Sequence, residues 1–237
     1  MQISKRLQTV ASMVTRGNKV ADIGCDHAYI SCYLIKNNIS PKVIAMDINQ
    51  GPLDRAKENI IKFGYADKID VRKSDGLKKL EKNEVDSIVI AGMGGALIVK
   101  ILSERRDIVA SVRELILQPQ SEVHKVRLTI EEYGFLITQE NMLKEDGKYY
   151  VCIKAVPRSE VNNCEDYKMD RNIDVYFGKL LLEEKHPILY EFLEKEKELN
   201  NNIYDKLQTE NTEQARLRQT EIKDKLKLIQ QGIESYH

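Results

Sequence analysis

No stretch of the chain approaches 18 consecutive apolar residues, so no segment is built to cross a membrane as a helix. The opening residues, MQISKRLQTVASMV, are basic but lack an uninterrupted apolar run. Ile3, Leu7, Val10 and Val14 recur there at helical spacing, which predicts an amphipathic helix rather than a signal peptide and a cytoplasmic location. The four cysteines, Cys25, Cys32, Cys152 and Cys164, contain no Cys-x-x-Cys pair; free thiols are expected. His124, His186 and His237 cluster with no acids or cysteines, and no metal site is expected. Net charge is absent too, since 37 Lys and Arg balance 37 Asp and Glu, so composition alone names no polyanionic partner. The balance is uneven along the chain: a basic surplus up to Arg158 is matched by an acidic surplus after it, which permits a nucleic-acid surface on the first part.

What is present is an alternation of apolar runs and helical stretches. Strands are predicted at 19–24, 42–47, 69–75, 85–92 and 114–119, with helices at 28–38, 51–63 and 95–105 between them. That rhythm indicates βαβ units and an α/β fold with a mostly parallel, Rossmann-like sheet. A helix at 121–133 then leads into LITQENMLKEDGKYYVCIKAV, read as two strands joined at Asp146-Gly147. A parallel sheet ending in an antiparallel hairpin is the ending expected of a class I methyltransferase. Beyond Pro157 the composition turns polar, then helical, with Pro187 at the start of a long helix. Leu189, Leu193, Leu199, Ile203 and Leu207 form one stripe, and Ile222, Leu226, Ile229 and Ile233 another across QTENTE, predicting a C-terminal coiled-coil hairpin. The first helix is acidic and the second basic, so their charges are expected to pair across the hairpin, with RNA contact by the second helix as the alternative. Two domains follow, 1–158 and 159–237. Such a seam closes within one chain or between two; a monomer is the expectation.

The loop after the first strand, DIGCDHAYI, lacks two of the three glycines of a dinucleotide fold: Gly24 is present, but Asp26 and Ala28 stand in place of the others. An Asp26 carboxylate facing a pyrophosphate at about 4 Å would cost on the order of 4 kcal/mol at an effective dielectric of 20. S-adenosyl-L-methionine has no phosphate there, and its ammonium and sulfonium make acids favourable, Asp22 included. Asp47 ends the second strand 23 residues after Gly24 and suits the two ribose hydroxyls of an adenosine, whichever cofactor carries it. Asp75, with Gly76, ends the third and suits the adenine amino group. Each acid can equally be a helix cap or turn residue. Three of them at the ends of three successive strands form a pattern.

AGMGG, 91–95, follows the fourth strand, where methyltransferases keep their chemistry. It lacks the Asn-Pro-Pro-aromatic stretch with which enzymes acting on adenine N6 hold the exocyclic amine. Its glycines leave a smooth backbone for a flat base, which favours a ring nitrogen as nucleophile. Gly92, Met93, Gly94 and Tyr29 are the candidate catalytic residues; His27 and Tyr29 suit stacking on, or hydrogen bonding to, a base.

With DIGCDHAY, AMDINQGPL, SDGL, IAGMGG and LILQPQ in this order, the whole chain resembles the bacterial tRNA (adenine-22-N1)-methyltransferases. The resemblance implies methyl transfer from S-adenosyl-L-methionine to adenosine N1 in tRNA. It implies cofactor contacts at Asp22, Gly24, Asp26, His27, Asp47, Asp75, Gly76, Gly92 and Met93, and it assures no catalytic base. Lys5, Arg6 and Arg16 are expected to contact tRNA phosphates near the active-site edge. The competing readings are an NAD(P)-linked oxidoreductase, a non-catalytic RNA-binding protein that retains S-adenosyl-L-methionine, and a small-molecule methyltransferase.

Overall fold

The computed structural model describes residues 3–161, 172–210 and 212–237. Cys164 and most of the polar stretch after Arg158 lie outside them. The chain divides into two compact units, Met1–Tyr167 and Lys168–His237.

The first unit opens with α1 (Lys5–Ser12), capped by Ser4, whose hydroxyl accepts the Leu7 N–H. There follow β1 (Val20–Ile23), a short 3-10 turn (Asp26–Ala28), α2 (Tyr29–Lys36), β2 (Val43–Asp47), α3 (Gln50–Phe63), β3 (Ile69–Lys73) and β4 (Ser87–Met93). Then come α4 (Gly95–Glu104), α5 (Arg106–Val109), β5 (Glu114–Pro119), α6 (Val123–Glu132), β6 (Phe135–Glu145) and β7 (Lys148–Pro157). Seven strands form one sheet in the order β3-β2-β1-β4-β5-β7-β6. The pairings among β1 to β5 are parallel; β7 runs antiparallel to both β5 and β6.

Burial explains the composition of the strands. Every residue of β1 and β5 is buried, as befits inner strands covered on both faces, whereas β3 at the edge exposes Asp70 and Lys73. Ile98, Ile101 and Leu102 of α4 are buried at helical spacing. The β6–β7 turn has φ +49° at Asp146 and +75° at Gly147, the two positive values that a tight hairpin needs and Asp-Gly supplies.

At the N-terminal edge of the sheet, Glu114 is buried and accepts from Thr15 N–H, Thr15 hydroxyl and Ser87 hydroxyl at 2.6–2.9 Å, with Lys154 Nζ at 2.9 Å. Burial alone would raise its pKa, but these bonds outweigh it and hold the carboxyl below its ordinary range. The network ties α1's exit to β4, β5 and β7.

The second unit contains a π-helical turn (Asp174–Gly178), α7 (Lys179–Glu183), α8 (Pro187–Gln208) and α9 (Glu213–Glu234). α8 and α9 pair antiparallel: Tyr236 hydroxyl donates to His186 O, Lys225 meets Glu196 at 2.7 Å, and Gln219 donates to Leu207 O. Leu199, expected on the seam, is half exposed; its neighbour Asn200 is buried instead. Leu189, Leu193, Glu196, Asn200, Ile203 and Leu207 follow alternating steps of four and three, so the inward stripe passes through two polar residues and leaves Leu199 one position off it. Among the described residues no helix is long and apolar enough to cross a membrane.

Candidate active site

β2 and β3 lie on one side of β1, and β4 on the other, so the chain reverses its direction of travel across the sheet at β1. The crevice at the C-terminal ends of these strands is where an open α/β sheet binds ligands. Asp22, Gly24, Asp47, Asp75 and the Gly92–Gly94 turn all reach that edge, from four different strands.

Asp22 is buried at the end of β1 and accepts the Ser31 hydroxyl at 2.6 Å, which anchors the first turn of α2. Burial pushes its carboxyl up to about 6, against the lowering effect of the Ser31 bonds. Gly24 has φ +71° and donates its N–H to Met46 O at 2.8 Å; the Cys25 N–H shares that acceptor at 3.0 Å. The space for a β-carbon on Gly24 is filled by the terminal methyl of Met93 from β4. Glycine suits the positive φ of the turn, and any larger residue would also have to displace the tip of the Met93 side chain.

Asp26, His27 and Ala28 follow with φ +28°, +20° and +55°, three successive non-glycine residues in sparsely populated backbone space. The Asn59 side chain of α3 donates to His27 O at 2.9 Å and fixes this turn. The Asp26 carboxylate is largely exposed, with Arg55 at 3.8 Å. His27 and Tyr29 stack, ring centres 5.3 Å apart and planes 18° from parallel, at the mouth of the turn.

The remaining acids differ from each other. Asp47 is half-buried, and its Oδ1 accepts the Asn49 N–H at 2.8 Å, which holds the carboxylate at the strand end. Asp75 is exposed and pairs with Lys78, whose hydrogen bond lowers the carboxyl's pKa. Gly76 packs beneath Ile101 of α4.

Gly92 sits in an irregularity between β4 and β5 with φ +79°. Its N–H donates to Gln118 Oε1 at 3.1 Å, and Arg6 Nη1 donates to the same oxygen at 2.8 Å. Arg6 therefore stands at the glycine turn, and Lys5 begins the same helix. Arg16 does not join them. Its guanidinium binds the carbonyls of Asn37 and Asn38 at the far end of α2, on the opposite edge of the sheet, because the chain has crossed that whole distance before β1 begins. Its position therefore departs from the expected active-site edge.

Ser31, Asn59 and Gln118 are site residues that motif reading left unassigned. Gln118 lies within the quoted LILQPQ, but a buried amide at a strand end has no local signature. Cys25, Cys32 and Cys152 are free and buried, and burial raises each thiol's pKa, Cys32 to about 11 and Cys152 to about 12. None is primed as a nucleophile. Among the described residues no group of three His, Cys, Asp or Glu side chains could hold a metal ion.

The family described as Methyltransferase domain matches residues 3–153. The chain is 34% identical to the Bacillus subtilis tRNA (adenine(22)-N(1))-methyltransferase over 99% of its own length and 98% of that protein. Its fold matches a Streptococcus pneumoniae protein solved in complex with S-adenosyl-L-methionine, with TM-score 0.85 and 32% identity over 98% of this chain and 100% of that one. It also matches M. capricolum TrmK in complex with S-adenosyl-homocysteine, with TM-score 0.84 and 28% identity over all of both chains.

Proposed function

Because the chain belongs to the tRNA (adenine(22)-N(1))-methyltransferase family, we propose that it transfers a methyl group from S-adenosyl-L-methionine to N1 of the adenosine at position 22 of tRNA. The observation that carries this reading is the reach of the similarity. It runs through the C-terminal helices as well as the methyltransferase domain, which a shared cofactor fold alone would not produce. The oxidoreductase, binding-only and small-molecule readings have no comparable support.

The residues at the sheet edge fit the cofactor. Asp22 and Asp26 suit a cationic amino-acid moiety, the turn at Gly24 suits a carboxylate, and Asp47 suits ribose hydroxyls. The adenine lies, in this reading, against the Asp75–Gly76 corner. S-adenosyl-L-methionine, when bound, supplies an electrophilic methyl group. The chain's task is to align the acceptor and exclude water, since adenine N1 carries a free lone pair and no proton need leave it. The Gly92–Gly94 backbone offers a flat surface for the base, Met93 forms its apolar border, and the His27–Tyr29 stack closes the side towards α2. No general base is needed for the transfer itself. Lys5 and Arg6 neutralise tRNA phosphates near the turn, which offsets part of the few kcal/mol needed to extrude a base. A tRNA substrate is consistent with a cytoplasmic location, and pairing of α8 with α9 within one chain is consistent with a monomer.

Methyl transfer from labelled S-adenosyl-L-methionine to unmodified tRNA, followed by nucleoside mass spectrometry, tests the reading. The expected product is 1-methyladenosine, lost when the adenosine at tRNA position 22 is replaced by guanosine. Methylation of another nucleoside, or retention after that replacement, would overturn the assignment.

A further inference from the structure

The hairpin register carries β6 and β7 past the end of β5. Leu117 of β5 pairs with Ile153, so residues 148–152 and, across the turn, 141–145 continue beyond this pairing on the same sheet edge as the glycine turn. Side chains alternate along β7, and Lys148, Tyr150, Cys152 and Lys154 share one face. That face is the one α1 covers: Lys154 Nζ donates to Met13 O at 2.9 Å, and Cys152 packs in the core with Val10 and Ala11. At the projecting end, the Arg6 guanidinium stands 5.5 Å from the centre of the Tyr150 ring. Glu145 accepts the Lys5 backbone N–H at 2.7 Å and so fixes the start of α1 against the hairpin tip.

Arg6 thus stands by one half-buried tyrosine, with Lys148 two residues before it on the same strand face and Lys5 preceding Arg6 at the start of α1. The group is tied to the candidate transfer site through Gln118, whose side-chain oxygen accepts from both Arg6 and the Gly92 N–H. The acids proposed for the cofactor come from β1, β2 and β3, on the other side of the glycine turn. A guanidinium at an aromatic ring, with lysines on the adjoining segments and at the edge of a crevice, makes the kind of surface that binds single-stranded nucleic acid: the cations take phosphates and the ring takes a base.

We propose that Tyr150, steadied by Arg6 and flanked by Lys5 and Lys148, is a stacking platform for a base of the tRNA strand that carries the target adenosine. Gln118 is the positioning residue that keeps Arg6 in register with both the ring and the glycine turn. The inference rests on the tRNA reading above and adds to it the wall of the site that receives the RNA strand.

Steady-state kinetics with unmodified tRNA test it on wild-type protein and on Tyr150→Leu, Tyr150→Phe and Lys148→Ala. Tyr150→Leu keeps apolar bulk but loses the ring, and its KM for tRNA should rise between about fivefold and a hundredfold while KM for S-adenosyl-L-methionine stays put. Tyr150→Phe should restore most of the loss, and Lys148→Ala should lower the salt slope of tRNA binding by about one. An unchanged tRNA KM in Tyr150→Leu overturns the platform. So does a Tyr150→Phe variant as impaired as Tyr150→Leu, or an equal rise in cofactor KM. If wild-type protein makes no 1-methyladenosine, the functional reading fails instead. Direct binding of tRNA to wild type and Tyr150→Leu then decides the platform separately, with equal affinities counting against it.

Discussion

The terminal methyl of Met93 occupies the space that a β-carbon on Gly24 would need. Two loops far apart in sequence, one after β1 and one at the end of β4, therefore close on each other at the edge of the sheet proposed for the cofactor.

Gly24→Ala tests that closure. At φ +71° an alanine carries about 1–2 kcal/mol of left-handed strain, and the Met93 side chain must swing away to admit the new methyl. The expected outcome is a modest fall in melting temperature and at least a tenfold loss of S-adenosyl-L-methionine affinity by calorimetry. Adding Met93→Ala relieves the clash but not the strain, so it should recover part of the stability. Wild-type affinity in Gly24→Ala would show that the two loops need not meet.

The parts of this arrangement that sequence reveals are those with local causes. Inner strands are apolar runs because both their faces are covered, and Asp146-Gly147 declares a hairpin because few other pairs tolerate two positive φ values. Asp22, Asp47 and Asp75 were legible as acids at strand ends. Arg16 was not, since its edge depends on how far the chain travels before Val20. Asn59 and Gln118 act across 32 and 26 residues, on His27 and Gly92, and nothing near them in sequence announces it. Leu199 misled through hydrophobicity alone, because the inward stripe of α8 passes through Glu196 and Asn200.

Asp22 should make both stability and cofactor binding depend on pH. Its carboxyl is raised by burial from 3.8 to about 6, so between those values the folded chain holds a proton that the unfolded chain has released. Stability therefore falls as pH rises through that window, by about 3 kcal/mol in total from this group. S-adenosyl-L-methionine affinity should move the opposite way and rise from pH 5 to pH 7, because the ionised carboxylate is the form that suits an ammonium. Asp22→Asn should flatten both profiles. Melting curves and calorimetric titrations across this range check the sign, and an affinity that falls with pH would remove Asp22 from the ammonium.

Arg127 of α6 and Glu140 of β6 form an ion pair with both side chains about 1% exposed and an N–O distance of 2.8 Å. Removing one partner takes from the other its buried counter-charge, at about 3–5 kcal/mol. Arg127→Met or Glu140→Leu should each lower the melting temperature by about 6–20 °C for a chain of this size. The double replacement should recover most of that loss, since an apolar pair of similar volume needs no compensation. Cofactor affinity at a temperature where the variants are folded should not change. A double variant as unstable as either single one would mean that the charges, rather than their isolation, sustain this part of the fold.

Asn59 offers the sharpest separation of local order from global stability. Asp26, His27 and Ala28 hold positive φ without glycine, each at a cost of order 1–3 kcal/mol, and such a turn persists only where its surroundings determine it. The Asn59 amide, donating to His27 O, is a tie from outside the turn. Asn59→Ala removes the donor, and Asn59→Asp additionally sets a carboxylate against a carbonyl oxygen, so the second should be the worse. Hydrogen exchange should quicken at the amides of residues 25–29 while the strands keep their protection, and S-adenosyl-L-methionine should bind about tenfold more weakly. The His27–Tyr29 stack would loosen with the turn, so turnover should fall even at saturating cofactor. If exchange in the turn stays slow in Asn59→Asp, the conformation is held by Gly24 and the α2 N-terminus alone, and the role assigned to Asn59 is lost.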